Sequence, residues 1–392
     1  MNQLTSIELF AGAGGLALGL KKSGWHHLAL VEKDEHACST IRLNQTSEHP
    51  SVKEWSLFEK DVRDIRYEEI AGAQEIDMIA GGPPCQPFSL GGKHRAHKDR
   101  RDMFPEAVRA VREVRPQCFV FENVKGLLRQ SFATYFSYIV LQLTYPTVAR
   151  FEDEDWYKHL ARLERRHTGK QQSELSYRVV FRLLNAADYG VPQNRHRVFI
   201  VGFRSDLEKE WSFPDSTHSL DRLLWEQWVE GSYWEEHRLA KKNRPSIPRL
   251  HKKRIERLAC EFSGSPPPGK RYQTVRDALS GLSDPRIENH PIPNHEFRDG
   301  ARPYPGHTGS LLDQPSKALK AGDHGVPGGE NMLAFLDGTY RYYTVRESAR
   351  IQTFPDDYIF SGSWTEAMRQ IGNAVPVELA TIVGESIRQQ VV

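Results

Sequence analysis

The stretch Ser6-Ile-Glu-Leu-Phe-Ala-Gly-Ala-Gly-Gly-Leu-Ala-Leu-Gly19 decides the fold. It begins as a short apolar β-type run, 6–10, passes through a glycine-rich turn and opens a helical pattern over 16–22. Gly12, Gly14 and Ala17 fit the G-x-G-x-x-[GA] spacing, whose glycines let the backbone turn tightly and a ligand approach it closely. Glu32 closes the next apolar run, 28–32, about 20 residues on, where a carboxylate in such folds takes ribose hydroxyls. The pair predicts an adenosine-containing cofactor and fits NAD and S-adenosylmethionine alike.

Working outward, further apolar runs at 76–80 and 118–121 alternate with helical patterns at 35–44 and 103–114, the signature of a parallel sheet covered by helices on both faces. Runs at 177–185 and 197–203 extend the sheet to about seven strands, and the charged stretch 146–172 reads as an inserted loop or helix. From 204 onward the pattern dissolves into Trp, Pro and charges, which marks a second domain; helical spacing returns at 344–352 and 368–390. The 392 residues leave room for two or three domains of roughly 100–200 residues. Their 53 Lys and Arg against 51 Asp and Glu, net +2, exclude a uniformly basic nucleic-acid binder, so any charged partner meets a local patch. Cys38, Cys85, Cys118 and Cys260 form no CxxC pair and no zinc-type cluster, so neither a disulfide scaffold nor a metal site is expected. With no basic-then-apolar leader and no run near 18 apolar residues, a soluble protein of a reducing compartment is expected.

Gly81-Gly-Pro-Pro-Cys-Gln-Pro-Phe-Ser89 follows a strand at the carboxyl edge of the sheet, where open α/β folds bind ligands. Its prolines stiffen the approach and set Cys85 at the mouth of the crevice. A free thiol, with a pKa of about 8.5, acts as a nucleophile only in an acidifying setting. Cys38, Cys118 and Cys260 read as small buried hydrophobes. Glu122-Asn-Val ends the adjacent strand, where burial would raise the Glu122 carboxyl into the range of a proton donor. In Gln193-Asn-Arg-His-Arg197, Arg195 and Arg197 alternate with His196 and are expected to point two cations into the same pocket.

These segments, with Gln370-Ile-Gly-Asn-Ala-Val-Pro376, occur in the order of the DNA (cytosine-5)-methyltransferases of the bacterial restriction-modification type, and the chain resembles that family over nearly its whole length. The resemblance implies a doubly wound, mostly parallel seven-stranded α/β sheet, the S-adenosylmethionine-dependent methyltransferase fold, with a smaller target-recognition domain. The expected division is 1–204 for cofactor and catalysis, 205–325 for target recognition and 326–392 for a return to the catalytic domain. It implies S-adenosylmethionine as cofactor: Phe10 on the adenine, Glu32 on the ribose, Asp61 and Val62 at the adenine edge, and Asn373 and Val375 at the methionine end, with Gly12, Gly14, Pro84 and Met103 nearby. Glu8 and Lys33 stand where the family often has other residues, and Ala374 replaces a frequent Ser.

The implied chemistry uses Cys85 as a thiolate that adds to carbon 6 of cytosine and makes carbon 5 nucleophilic. Glu122 donates to ring nitrogen 3, Arg197 polarises the carbonyl oxygen at carbon 2, and Arg195 supports Glu122 or the nearby backbone. The base must be extruded from the duplex. The stretch 88–101, with Gly91-Gly92 and five Lys and Arg, reads as a cationic loop that closes on the phosphates. Residues 206–236 carry nine acidic and two basic groups, net −7, whereas 237–257 carry nine basic and one acidic, net +8, so the second is expected to face DNA. Double-stranded DNA is the expected partner and tRNA the rival, since a branch of the family methylates tRNA. A monomer in the bacterial cytoplasm, on the nucleoid, is expected; whether a restriction endonuclease accompanies it is open.

Overall fold

The structure, a computed structural model, describes residues 3–72, 74–84, 102–169, 174–287, 291–305, 307–321 and 331–391. Its centre is a seven-stranded sheet of β1 (Thr5–Leu9), β2 (His26–Glu32), β3 (Leu57–Glu59), β4 (Met78–Gly81), β5 (Cys118–Val124), β6 (Tyr177–Asn185) and β8 (His196–Arg204), in the order β3-β2-β1-β4-β5-β8-β6. The first five of these in the sheet pair in parallel, and β8 joins β5 and β6 antiparallel. A two-residue strand, β7 (Gln193–Asn194), pairs with Ser316–Lys317. β4 lies beside β5 with Gly81 opposite Phe121, so the chain leaving β4 emerges beside Glu122.

Side chains alternate across the sheet and divide the core. Ile7, Leu9, Ile79, Phe119 and Phe121 point to one face, under α3 (Tyr67–Ala71), α4 (Phe104–Val114), α5 (Ala133–Thr144) and α6 (Trp156–Thr168). Met78, Ala80, Cys118 and Val120 point to the other, under α1 (Gly15–Lys22) and the terminal helix, α13 (Val377–Val391). Flanking the crevice are α2 (Glu35–Thr46), α11 (Val345–Ile351) and α12 (Trp364–Asn373). This is the expected doubly wound fold.

The differences from the sequence reading have physical causes. β3, three residues long, is too short to show a period. The helical spacing of 368–390 is two helices, α12 and α13, separated at Ala374 to Pro376, because Pro376 lacks an N–H and pushes Val375 out of the helical region. The charged stretch 146–172 holds α6, capped by Asp155 accepting from Tyr157 N. Beyond 204 lie α7 (Leu220–Trp225), α8 (Ser232–Glu236), α9 (Lys252–Glu261) and α10 (Val275–Ala278), which build two small cores around Tyr233, Trp234 and Tyr272 and around Trp225, Ile255 and Leu258. Cys38 and Cys118 are buried as expected, but Cys260 on α9 is exposed, because only Ile255 and Leu258 of that amphipathic helix face inward.

The two ends of the described chain meet at α1 and α13. A Cβ on Gly19 would lie 2.4 Å from Ala380 Cβ and 2.6 Å from the Val377 carbonyl, so the helices cross with backbones nearly touching. Trp25 Nε1 donates to the Gly384 carbonyl at 3.1 Å and fixes the crossing. Gly19→Ala is expected to lower stability by about 1–3 kcal/mol in urea denaturation, since overpacking here must separate two helices; unchanged stability would contradict the close crossing.

Candidate active site

The glycine-rich turn uses left-handed backbone at Phe10 (φ 57°), Gly12 (φ 54°) and Gly14 (φ 83°). Gly14 caps α1, and a Cβ there would sit 3.1 Å from Trp55, so this glycine serves helix packing and lies outside the cavity wall. At Gly12 a Cβ would meet nothing within 4 Å. That open side faces a cavity of about 550 Å³ lined by Phe10, Gly12, Glu32, Asp61, Val62, Pro84, Met103, Glu122, Arg197, Asn373 and Val375.

Glu32 is held by backbone alone: Gly12 N donates to its Oε2 at 2.7 Å, and Lys33 N and Asp34 N to its Oε1 at 2.8 Å. Asp61 caps the turn Val62–Asp64 and accepts from Arg63 and Lys33. The Arg63 guanidinium holds its carboxyl well below the usual carboxylate range, against a smaller opposing effect of burial. At the floor, Glu8 is 1% exposed and its Oε2 has no hydrogen-bond partner among the described residues. Burial pushes this carboxyl well up; the Ala17 N–H pulls the other way and the Glu32 charge pushes further up.

Glu122, 7% exposed at the end of β5, lies 2.8 Å from Arg197 Nε without in-line hydrogen-bond geometry. Burial raises its pKa, and Arg197 and then Arg195 restrain the rise. Asn123 Nδ2 donates to the Pro83 carbonyl at 2.8 Å, tying this strand end to the approach to Pro84. Met103 N donates to the Pro84 carbonyl at 3.0 Å, closing the base of the segment between them. Cys85 and the cationic stretch 88–101 lie outside the described residues.

Arg195 corrects the sequence reading. Its side chain is fully buried and points away from the cavity, donating to the carbonyls of Leu319 (2.9 Å), Gly372 (2.6 Å) and Ala374 (3.0 Å). Alternation does put Arg195 and Arg197 on one side of the chain, but the break between β7 and β8 separates their surroundings. Only Arg197 reaches the cavity. The sequence reading missed Gln352, also fully buried, which donates to the carbonyls of Ile371 (2.6 Å) and Ala374 (3.0 Å) and accepts from Gln193 Nε2 at 3.0 Å. A glutamine at the end of a short helix carries no such signal.

A family model of the C-5 cytosine-specific DNA methylases matches residues 4–145 and 158–389. The chain belongs to the C-5 cytosine-specific DNA methylases. It is 32% identical over 389 residues to the type II methyltransferase M.NgoMIV of Neisseria gonorrhoeae, covering 98% of this chain and 97% of that one. To M.FnuDI of Fusobacterium nucleatum it is 30% identical over 389 residues, covering 98% and 94%. Among solved structures, the Dnmt2 methyltransferase of S. pombe shares the fold with TM-score 0.54 at 17% identity, covering 99% of this chain and 98% of that one.

This methylase transfers a methyl group from S-adenosylmethionine to carbon 5 of cytosine at a specific site in DNA. The residues present suit that cofactor: an open backbone edge at Gly12, a fixed carboxylate at Glu32 and an orphaned buried oxygen at Glu8. Because burial raises the Glu8 pKa in the folded chain above its ordinary 4.5, its contribution to stability is present at low pH and lost as pH rises. Glu8→Gln is therefore expected to exceed the parent in stability by about 1–3 kcal/mol at pH 8, with the gap closing toward pH 4. Urea denaturation at both pH values checks this; a gap independent of pH would show that Glu8 is not held neutral.

Proposed function

We propose that Cys85 is the nucleophile of this methylase and that Glu122 and Arg197 activate the cytosine ring. The observation that carries the reading is the Glu122–Arg197 pair in the wall of the cavity that also contains Pro84, the residue before Cys85. The Cys85 thiolate bonds to carbon 6 while Glu122 gives its proton to nitrogen 3 and Arg197 donates to the oxygen at carbon 2, leaving an enamine nucleophilic at carbon 5. S-adenosylmethionine, when bound, supplies the electrophilic methyl group. Loss of the carbon-5 proton to a base then expels Cys85. Phe10, Gly12, Glu32, Asp61, Val62, Pro84, Met103, Asn373 and Val375 hold the cofactor. Gly14 shapes their turn, and Arg195 holds the Asn373 wall against β8 and is a positioning residue.

Residues 1–204 and 326–392 form the cofactor and catalytic unit, and 205–325 read the target. The basic stretch 237–257 is partly neutralised, since Asp221 takes Arg254 at 2.5 Å and Arg257 at 3.7 Å. Lys241, Lys242, Arg249, Lys252 and Lys253 have no anionic partner among the described residues and suit contacts to DNA phosphates. No helix of the described residues is long and apolar enough to cross a membrane. A monomer in the bacterial cytoplasm, on the nucleoid and partnered in function by a restriction endonuclease, fits this reading.

Cys85→Ser is expected to abolish methyl transfer from labelled S-adenosylmethionine to duplex DNA, and covalent trapping by 5-fluorocytosine DNA, while cofactor binding persists. Trapping by the variant, or label entering tRNA alone, overturns the reading. Glu122→Gln should lower kcat by roughly 10²-fold or more. In the parent, the rate should fall as pH rises through the raised Glu122 pKa; a parent profile retaining this limb unchanged in Glu122→Gln would remove Glu122 as the proton donor.

A further inference from the structure

Residues 146–157 lie outside what the family model matches, yet they are not loose surface. Trp156 is 7% exposed, with its ring 5.7 Å from Tyr135, edge to face, and 5.4 Å from Tyr138. The loop before it is pinned to α6, because Arg162 donates to the Ala149 carbonyl at 2.6 Å and pairs with Glu154 at 2.8 Å. His159 bridges the same loop to α5, with Nε2 2.7 Å from the Val148 carbonyl and Nδ1 2.8 Å from the Tyr138 hydroxyl.

Tyr135, edge to face with Trp156, donates through its hydroxyl to the Asp102 carboxylate. Asp102 in turn accepts from Phe104 N at 3.3 Å, at the start of α4. The next residue, Met103, donates to the Pro84 carbonyl, so Asp102 stands at the closed base of the segment whose first residue is Cys85. A rigid aromatic contact on one side of Tyr135 thus fixes a charged hydrogen bond on the other, two residues of chain from the wall that presents Cys85.

We propose that this stretch supplies a positioning element for the reaction: Trp156, acting through Tyr135, fixes Asp102 and with it the Met103–Pro84 base from which Cys85 is presented. The inference rests on Cys85 being the nucleophile. Addition to carbon 6 is sensitive to placement, because a displacement of about 1 Å costs up to 10²-fold in rate. Neither Trp156 nor Tyr135 lines the cavity, so both act as positioning residues through the Met103–Pro84 bond.

Tyr135→Phe keeps the aromatic packing and removes only the hydroxyl. Expected is a tenfold to hundredfold slower single-turnover formation of the covalent adduct with 5-fluorocytosine duplex DNA, at unchanged melting temperature and unchanged Kd for S-adenosylmethionine. Trp156→Phe should restore most of the adduct rate that Trp156→Ala loses. Adduct formation by Tyr135→Phe at the parent rate, or a loss matched by a lowered melting temperature, overturns the proposal. The underlying assignment fails separately, through adduct formation by Cys85→Ser.

Discussion

The crevice depends on one buried guanidinium. Removing an arginine from water costs several kcal/mol unless its donors are satisfied. The two terminal nitrogens of Arg195 donate to three backbone carbonyls, those of Leu319, Gly372 and Ala374, while its Nε has no hydrogen-bond partner among the described residues. The Gly372 and Ala374 carbonyls lie at the end of α12, where Pro376 already stops the helix, and the Arg195 bonds hold that end in place. The break between α12 and α13, which exposes Asn373 to the cavity, is stabilised by the same bonds and by Gln352.

Two carboxyls then divide the cavity. Glu8 and Glu122 are both raised by burial, but Glu122 has a cation beside it and Glu8 has a like charge at Glu32. Burial thus raises the Glu8 carboxyl with a like charge adding to the rise, whereas at Glu122 the adjacent arginine opposes it. A single cation 2.8 Å away separates the electrostatic surroundings of the two acids.

The sheet, the glycine-rich turn and the Glu122 and Arg197 positions were legible because each depends on local rules: alternation along a strand, turn-forming glycines and charged residues at strand ends. Arg195 and Gln352 were not, since both donate to main-chain carbonyls, 124–179 residues away for Arg195 and 19 and 22 away for Gln352, which leave no mark in residue type. Glu8, a charge inside an apolar strand, was visible as an oddity without its meaning. The opposed charges of 206–236 and 237–257 were visible as sums, but not their mutual cancellation at Asp221.

The docking of α13 on α1 bears on how the molecule is made. The cofactor wall joins residues near position 10 to residues near 375, so contacts of very large sequence separation must close before the cavity exists. A chain still emerging from the ribosome would carry the glycine-rich turn and Glu122 yet lack the wall at Asn373 and Val375, with Leu16 and Leu20 uncovered. Methylation begins only after α12 and α13 have been made and docked, and a nascent chain stalled short of α12 exposes apolar surface for chaperones to hold.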